Sequence, residues 1–274
     1  MRNKLFAALR YAMLGFMALF AAFPLVQVYI NSFRTDNDVK LMPVGLPREW
    51  VFNNYPETWE IGGYGRAYLN SFFNAFAVIL IVLTLIGFAG YALSKLDFKF
   101  RGFFTAYFFV AISLPGFLYI VPNYFLFGRL GLTDTRGGLI LLYTAMQIPF
   151  NLLLLRTFLL GIPREIEEAA KIDGCSETQA LLRVTLPIAR PIFLTIALLI
   201  FVNVWNEYLW AQTFITTGAL KPVSTRFVHF VGEFSRNMAR IYTASAITIT
   251  PIIVMYIFFS KRFIEGMTSG SVKG

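Results

Sequence analysis

Six windows of this 274-residue chain are almost free of charge and about as long as a bilayer is thick. They cover residues 11–33, 67–94, 102–128, 137–158, 191–214 and 241–260. A helix needs roughly 20 apolar residues to cross about 30 Å of hydrocarbon. Within lipid the backbone must pair its own N–H and C=O groups, which a helix does inside each segment. The windows predict an all-α membrane protein with six transmembrane helices, residues 1–274 forming a single transmembrane domain. Composition agrees, since 57% of the residues are hydrophobic, 30 are Phe and only 14% are charged. The first window is too long for a secretory signal and lacks a small-residue cleavage site, so it is expected as a retained span. An even number of spans puts both termini on one side, where Lys and Arg are modestly more numerous.

The stretch 161–190, between the fourth and fifth windows, is charged, and local rules make it a helical hairpin. Pro163 suits a first helical turn, where its missing N–H would be unpaired anyway. Glu165, Glu167 and Glu168 follow at the end where the helix dipole favours negative charge. Asp173-Gly174 stops the first helix, because Gly takes the left-handed conformation that closes one. Ser176 with Gln179 is a capping-box pattern that starts the second, and Pro187 and Pro191 limit it. Ala169 and Ala170 leave the backbone open to close approach. Leu181, Leu182 and Val184 make an apolar stripe too short for a core of its own. Such an element either plugs a groove on a partner or lies on lipid headgroups.

Several function classes fall away. The net charge of +9 comes from Lys and Arg scattered between apolar spans, so no nucleic-acid partner is expected; membrane lipid is. One cysteine, Cys175, rules out an internal disulfide and any multi-Cys metal site. His229 stands alone in an expected outer loop and reads as structural. No G-x-x-x-x-G-K-[ST] phosphate loop occurs, nor a G-x-S-x-G or H-E-x-x-H motif. The chain is expected to be no enzyme and to hold no cofactor or metal.

Polar groups inside spans are costly and need partners. Asn70, Asn74 and Asn151 fall in spans, with Gln147 nearby, and the fifth window carries Asn203, Trp205, Asn206, Glu207 and Trp210 close together. One reading is a hydrophilic translocation path, its amides and acid bonding hydroxyls while the rings stack on sugar faces. The other is helix–helix glue and an interfacial aromatic belt. Pro115, Pro149 and Pro251 fall inside spans, where kinks are common. The segment 34–66 is expected as an irregular loop or a short interfacial helix around Asn53 to Glu60.

Glu168-Ala169-Ala170, Asp173-Gly174 and Leu186-Pro187 resemble the E-A-A-x-x-x-G…L-P signature of ABC importer permeases. Asn70-Ser71, Leu130 to Thr135, Trp205 to Trp210 and the ending Gly270 to Gly274 are similar to the carbohydrate, maltose-type branch. Cys175 replaces a usual small residue, and Leu181 stands where an aromatic is common. The resemblance implies a multi-pass subunit of a prokaryotic inner membrane, with both termini and the hairpin cytoplasmic. It implies a second homologous permease, two ATP-binding subunits holding ATP and Mg, and an extracytoplasmic solute-binding protein. Glu168, Ala169, Ala170, Asp173, Gly174, Leu181, Leu186 and Pro187 would form the coupling helix seated in an ATPase cleft. The tail residues Gly270, Val272, Lys273 and Gly274 would reach the ATPase pair. The solute would be a sugar or oligosaccharide; another ABC-imported solute, such as glycerol-phosphate, a polyol or an amino acid, is the near alternative. An ion-coupled secondary transporter is the distant one, since such proteins usually show paired broken helices and several midplane ionisable groups.

Overall fold

The computed structural model describes residues 2–233 and 237–268. Its helices, in order, are α1 (Arg2–Ser32), α2 (Asp36–Leu41), α3 (Asn54–Ile61), α4 (Tyr64–Lys95), α5 (Arg101–Ser113) and α6 (Ile120–Arg129). Then follow α7 (Arg136–Leu160), α8 (Arg164–Ile172), α9 (Glu177–Ala180), α10 (Leu186–Ile188), α11 (Arg190–Asn206), α12 (Leu209–Phe214), α13 (Val223–Glu233) and α14 (Met238–Thr268). No strand occurs among the described residues. Four helices, α1, α4, α7 and α14, hold a window long and apolar enough to cross a membrane. Two bent runs, α5 with α6 and α9–α10 with α11, bring the number to six when each is taken as one span.

The third predicted span is therefore not one straight helix. Its two halves meet at 92°. Pro115 disfavours the helical region for the residue before it, and Leu114 is indeed extended, with φ −86° and ψ 122°. The fifth window breaks too, because Glu207 is extended at φ −68° and ψ 118° and separates α11 from α12. Pro149 and Pro251, by contrast, sit inside unbroken α7 and α14.

The chain divides into two compact units. The larger comprises the described parts of Ala67–Pro222 and Ile252–Gly274. Its core is a seam of Val78, Val82 and Ile86 from α4, Leu142, Leu152 and Leu155 from α7, and Ile192, Ile196 and Ile200 from α11. The side chains of Phe76, Leu80 and Phe88 on α4 and Ile257 and Phe258 on α14 are exposed, as expected of surfaces meeting lipid or a partner.

The smaller unit comprises the described parts of Met1–Arg66 and Val223–Pro251. A fully buried guanidinium, Arg34, organises the segment after α1. It donates to Asp38 Oδ2 at 2.8 Å, Asn31 Oδ1 at 2.9 Å and the carbonyls of Met42 and Asp38 at 2.8 and 3.0 Å. Five fixed donors let one Arg bind a carboxylate and several carbonyls at once, so a loop without a large core still has a fixed shape. Arg34, first among the causes, holds the Asp38 carboxyl below its ordinary range. The helix expected around Asn53 to Glu60 is present as α3, and Asn54 Nδ2 ties its start to the carbonyls of Ser32 and Arg34, each at 2.9 Å. Tyr29 meets Thr250 at 2.8 Å and Thr243 donates to the Ser32 carbonyl at 3.0 Å, pinning α1 to α14. Position 229 lies within α13 rather than in an open loop.

Candidate functional site

The charged stretch is a hairpin, and its two ends are built as local chemistry requires. α8 stops at a left-handed glycine, Gly174, with φ +83°. The Cys175 N–H returns to the Ala170 carbonyl at 3.0 Å, the six-to-one bond of a Schellman stop. The second arm opens with both halves of the capping box, Gln179 N–H to Ser176 Oγ and Ser176 N–H to Gln179 Oε1. That arm then departs from α-helix. Residues Leu181–Thr185 are π-helical, with the Leu186 N–H bonded back to the Leu181 carbonyl. Pro187 offers no N–H to the carbonyl four residues before it, so a wider turn at this point forgoes little.

The hairpin is held by α4. Lys95, at the C-terminal end of α4 and 3% exposed, donates to the Ile162 carbonyl at 2.8 Å and lies 3.3 Å from the Glu167 carboxylate. Thr185 Oγ1 donates to the same carboxylate at 3.3 Å from the second arm. One turn earlier on α4, Tyr91 donates to Glu177 at 3.1 Å. The last carbonyls of α4 are met by cations: Arg101 reaches those of Leu93 and Ser94, and Arg156 also reaches Leu93. Positive charge there suits the negative end of the helix dipole.

The residues expected to face a partner divide into two groups. Glu168, Ala169, Asp173 and Gly174 are exposed, and Leu186 and Pro187 are half-buried. Ala170 and Leu181 are buried, at 7% and 4% exposure, so neither is open to close approach from outside. Adjacent helical residues point about 100° apart, and the sequence alone does not say which of Leu181 and Leu182 turns inward. The apolar surface that does point out is led by Ile172, 87% exposed beside the turn, with Ile166, Leu182 and Ile188 less exposed. Sequence reasoning passed over Ile172 and Lys95, and read Glu167 only as a charge suited to a helix N-terminus. The first Lys after an apolar run, one turn beyond Tyr91, was the available signal for the anchor. The tail residues Gly270, Val272, Lys273 and Gly274 lie outside the described residues.

The polar residues of the spans also separate. Asn70 is buried and donates to the carbonyls of Ala219 and Lys221 at 2.8 and 3.2 Å, while Arg136 donates to its carbonyl oxygen at 2.5 Å. Asn74 is buried, its Oδ1 lacking a hydrogen-bond partner. Trp205 is fully buried among Tyr68, Phe72 and Phe201, with ring centroids 5.0 to 5.4 Å apart. Trp210 is buried against Tyr119 and Phe214. Neither indole presents a face for stacking on a sugar, which corrects that part of the expected path. Glu207 accepts from Tyr143 Oη at 2.8 Å and from the N–H groups of Trp210 and Ala211 at 2.8 and 2.9 Å, so its carboxylate caps α12. Asn203 and Asn206 are exposed. Asn203 donates to Gln147 Oε1 at 3.3 Å, and Asn151 donates to the Gln147 carbonyl at 2.7 Å with its own Oδ1 unpaired. Gln147, Asn151 and Asn203 thus form an amide cluster joining α7 and α11.

At the other end of the larger unit, Asp134 takes a left-handed φ of 55°. It accepts from the Thr217 hydroxyl at 2.6 Å and from the N–H groups of Thr217 and Thr216 at 2.8 and 2.9 Å. These bonds, Thr217 foremost, hold its carboxyl down to about 2. Among the described residues, no group of three or more His, Cys, Asp or Glu side chains is placed to hold a metal.

Residues 84–268 match the model of the family described as binding-protein-dependent transport system inner membrane component. The chain belongs to that family. The hairpin and the amide cluster both lie within the matched stretch. A probable ABC transporter permease protein of Bacillus subtilis (strain 168), YurM, is 32% identical over 253 residues, 92% of this chain and 84% of that protein. The diacetylchitobiose uptake system permease protein NgcG of Streptomyces coelicolor is 28% identical over 274 residues, 99% of this chain and 90% of that protein. Among solved structures, a bacterial ABC transporter involved in the import of the acidic polysaccharide alginate superposes with a TM-score of 0.81 at 25% identity, over 95% of this chain and 97% of that one. Like other inner membrane components of the family, this chain is an importer permease of the ABC type, with a fold shared across nearly its whole length.

Proposed function

We propose that this chain, as a single transmembrane domain, provides half of the path for a sugar or oligosaccharide. A second, homologous permease subunit completes the path, and two ATPase subunits supply the energy. The hairpin 161–190 and both termini lie in the cytoplasm, ATP and Mg are held by the ATPase subunits, and an extracytoplasmic binding protein delivers the solute. The chain itself performs no covalent chemistry. One observation carries the reading: a rigid hairpin, closed by left-handed Gly174, projects Ile172 outward from an otherwise polar turn. An exposed apolar side chain on a fixed amphipathic element suits a groove on a partner.

Carbohydrate is favoured by the names of the relatives, which include a diacetylchitobiose uptake permease and an alginate importer. The amides of Gln147, Asn151 and Asn203 add donors and acceptors without net charge, which suits hydroxyl-rich solutes better than ions. The test is uptake in proteoliposomes containing the purified complex and its binding protein, with labelled oligosaccharides, polyols, glycerol-phosphate and amino acids. ATP-dependent accumulation of an oligosaccharide is expected. Accumulation driven by an ion gradient without ATP would refute the reading.

A further inference from the structure

A hairpin that receives force must pass it on, and the backbone connections at its ends lead only to α7 and α11. α7 joins α8 through Gly161, Ile162 and Pro163, and the second arm joins α11 across Ala189 with a 74° bend. Each is a short turn whose buried residue, Ile162 or Ala189, packs into the core of the larger unit, but neither turn by itself joins both arms to one span. The side-chain attachment is of another kind. Tyr91 and Lys95 lie four residues apart on α4 and so share one face. Tyr91 takes hold of the second arm through Glu177, and Lys95 takes hold of the first through Glu167 and the Ile162 carbonyl. Thr185 closes the arrangement by donating to Glu167 from the second arm. Lys95 and Glu167 are 3% and 10% exposed. Withdrawn from water, the pair is little screened, and separating it would strand a charge in each half.

We propose that the Lys95–Glu167–Thr185 cluster clamps the hairpin to α4, so that displacement of the hairpin drives α4 as one rigid piece with it throughout the transport cycle. This deepens the coupling role proposed above and rests on it. Lys95 and Glu167 are positioning residues: they meet neither solute nor nucleotide, and they set which span moves. Glu167, rather than its exposed neighbour Glu168, is the acid that holds the hairpin's shape.

The experiment uses the whole reconstituted complex and measures solute imported per ATP hydrolysed, alongside co-purification of the ATPase subunits. Lys95→Met and Glu167→Gln are expected to retain the ATPase subunits and hydrolyse ATP, while import per ATP falls about tenfold, the order of a coupling free energy. The charge swap Lys95→Glu with Glu167→Lys is expected to regain only the part of the loss owed to the ion pair, because a carboxylate at 95 cannot donate to the Ile162 carbonyl. A second arm remains decisive even if the single variants fail to assemble. In a Cys175→Ser background, Lys95→Cys with Glu167→Cys is bridged by a short thiol-specific cross-linker, and the bridged complex is expected to import at near the wild-type ratio. An unchanged import ratio in both single variants, or a bridged complex that hydrolyses ATP but no longer imports, overturns the proposal. Gly174→Val separates the two readings. If it uncouples the complex and the Lys95 and Glu167 variants do not, the hairpin role stands and the clamp is wrong. If none of the three affects coupling, the hairpin role itself is wrong.

Discussion

Gly174 offers the sharpest separation between a turn-forming role and a surface role within the hairpin. Its φ of +83° lies in the left-handed region, and a Cβ built there meets nothing within 4 Å. A side chain at this position therefore carries a conformational penalty and no steric one. For an ordinary L-residue that penalty is about 1–2 kcal/mol, while Asn tolerates the region better. One kcal/mol corresponds to roughly a fivefold change in an equilibrium. Gly174→Asn is therefore expected to couple nearly as well as wild type, Gly174→Ala to lose several-fold and Gly174→Val to lose most coupling. The assay is import per ATP in proteoliposomes, paired with hydrogen exchange of the Cys175 amide, which the Schellman bond protects. Equal loss with Asn and Val would refute the turn argument and show that bulk at this point is what matters. No loss in any variant would refute a need for the turn.

Three further outcomes follow from the same geometry. Glu207→Ala removes the acceptor of three hydrogen bonds and leaves the buried Tyr143 hydroxyl unpaired; a loss on the order of 3 kcal/mol should lower the melting temperature by roughly 5–10 °C, and an unchanged melt with altered solute preference would place Glu207 in the path instead. Trp205→Ala should cost about 3–5 kcal/mol through lost core packing while leaving the solute concentration for half-maximal uptake unchanged; a large shift in that concentration would mean the indole meets solute. Asp38 and Asp134 both titrate below their ordinary range when folded, so the stability they contribute is complete above about pH 4 and is lost as pH falls through their depressed values. Amide protection factors of residues 34–48 and 130–136, in which the intrinsic slowing of exchange by acid is divided out, should fall between about pH 4 and pH 2 in wild type, and less so in the double variant Asp38→Asn with Asp134→Asn; parallel curves would refute the assignment.

Much of this molecule was legible because its strongest signals are local. An apolar window of some 20 residues states its own solvent, and Ser176 with Gln179 and Gly174 act within one turn of chain. What stayed hidden depends on encounters between distant segments. Glu167 and Glu168 are adjacent and chemically alike, and only the arrival of Lys95 from the end of α4 makes one a buried anchor and leaves the other exposed. Leu181 and Leu182 are adjacent and alike, and which of them faces inward depends on where the rest of the unit lies, which the local sequence does not state. Trp205 and Glu207 drew attention as polar or amphipathic groups in lipid, yet the first completes an aromatic core and the second caps the helix that its own backbone breaks. Nothing local marks Arg34, because the carbonyls it gathers are set by a loop whose shape it creates.

The coupling role of the hairpin can be tested at a single atom. Cys175 is the chain's one cysteine, partly exposed beside the hairpin's turn, so a photo-activated cross-linker placed on its sulfur samples only that neighbourhood. In the working complex it should capture the ATPase subunit, with a yield that changes when ATP is added. Capture of lipid alone, in a complex that still imports solute, would contradict the account.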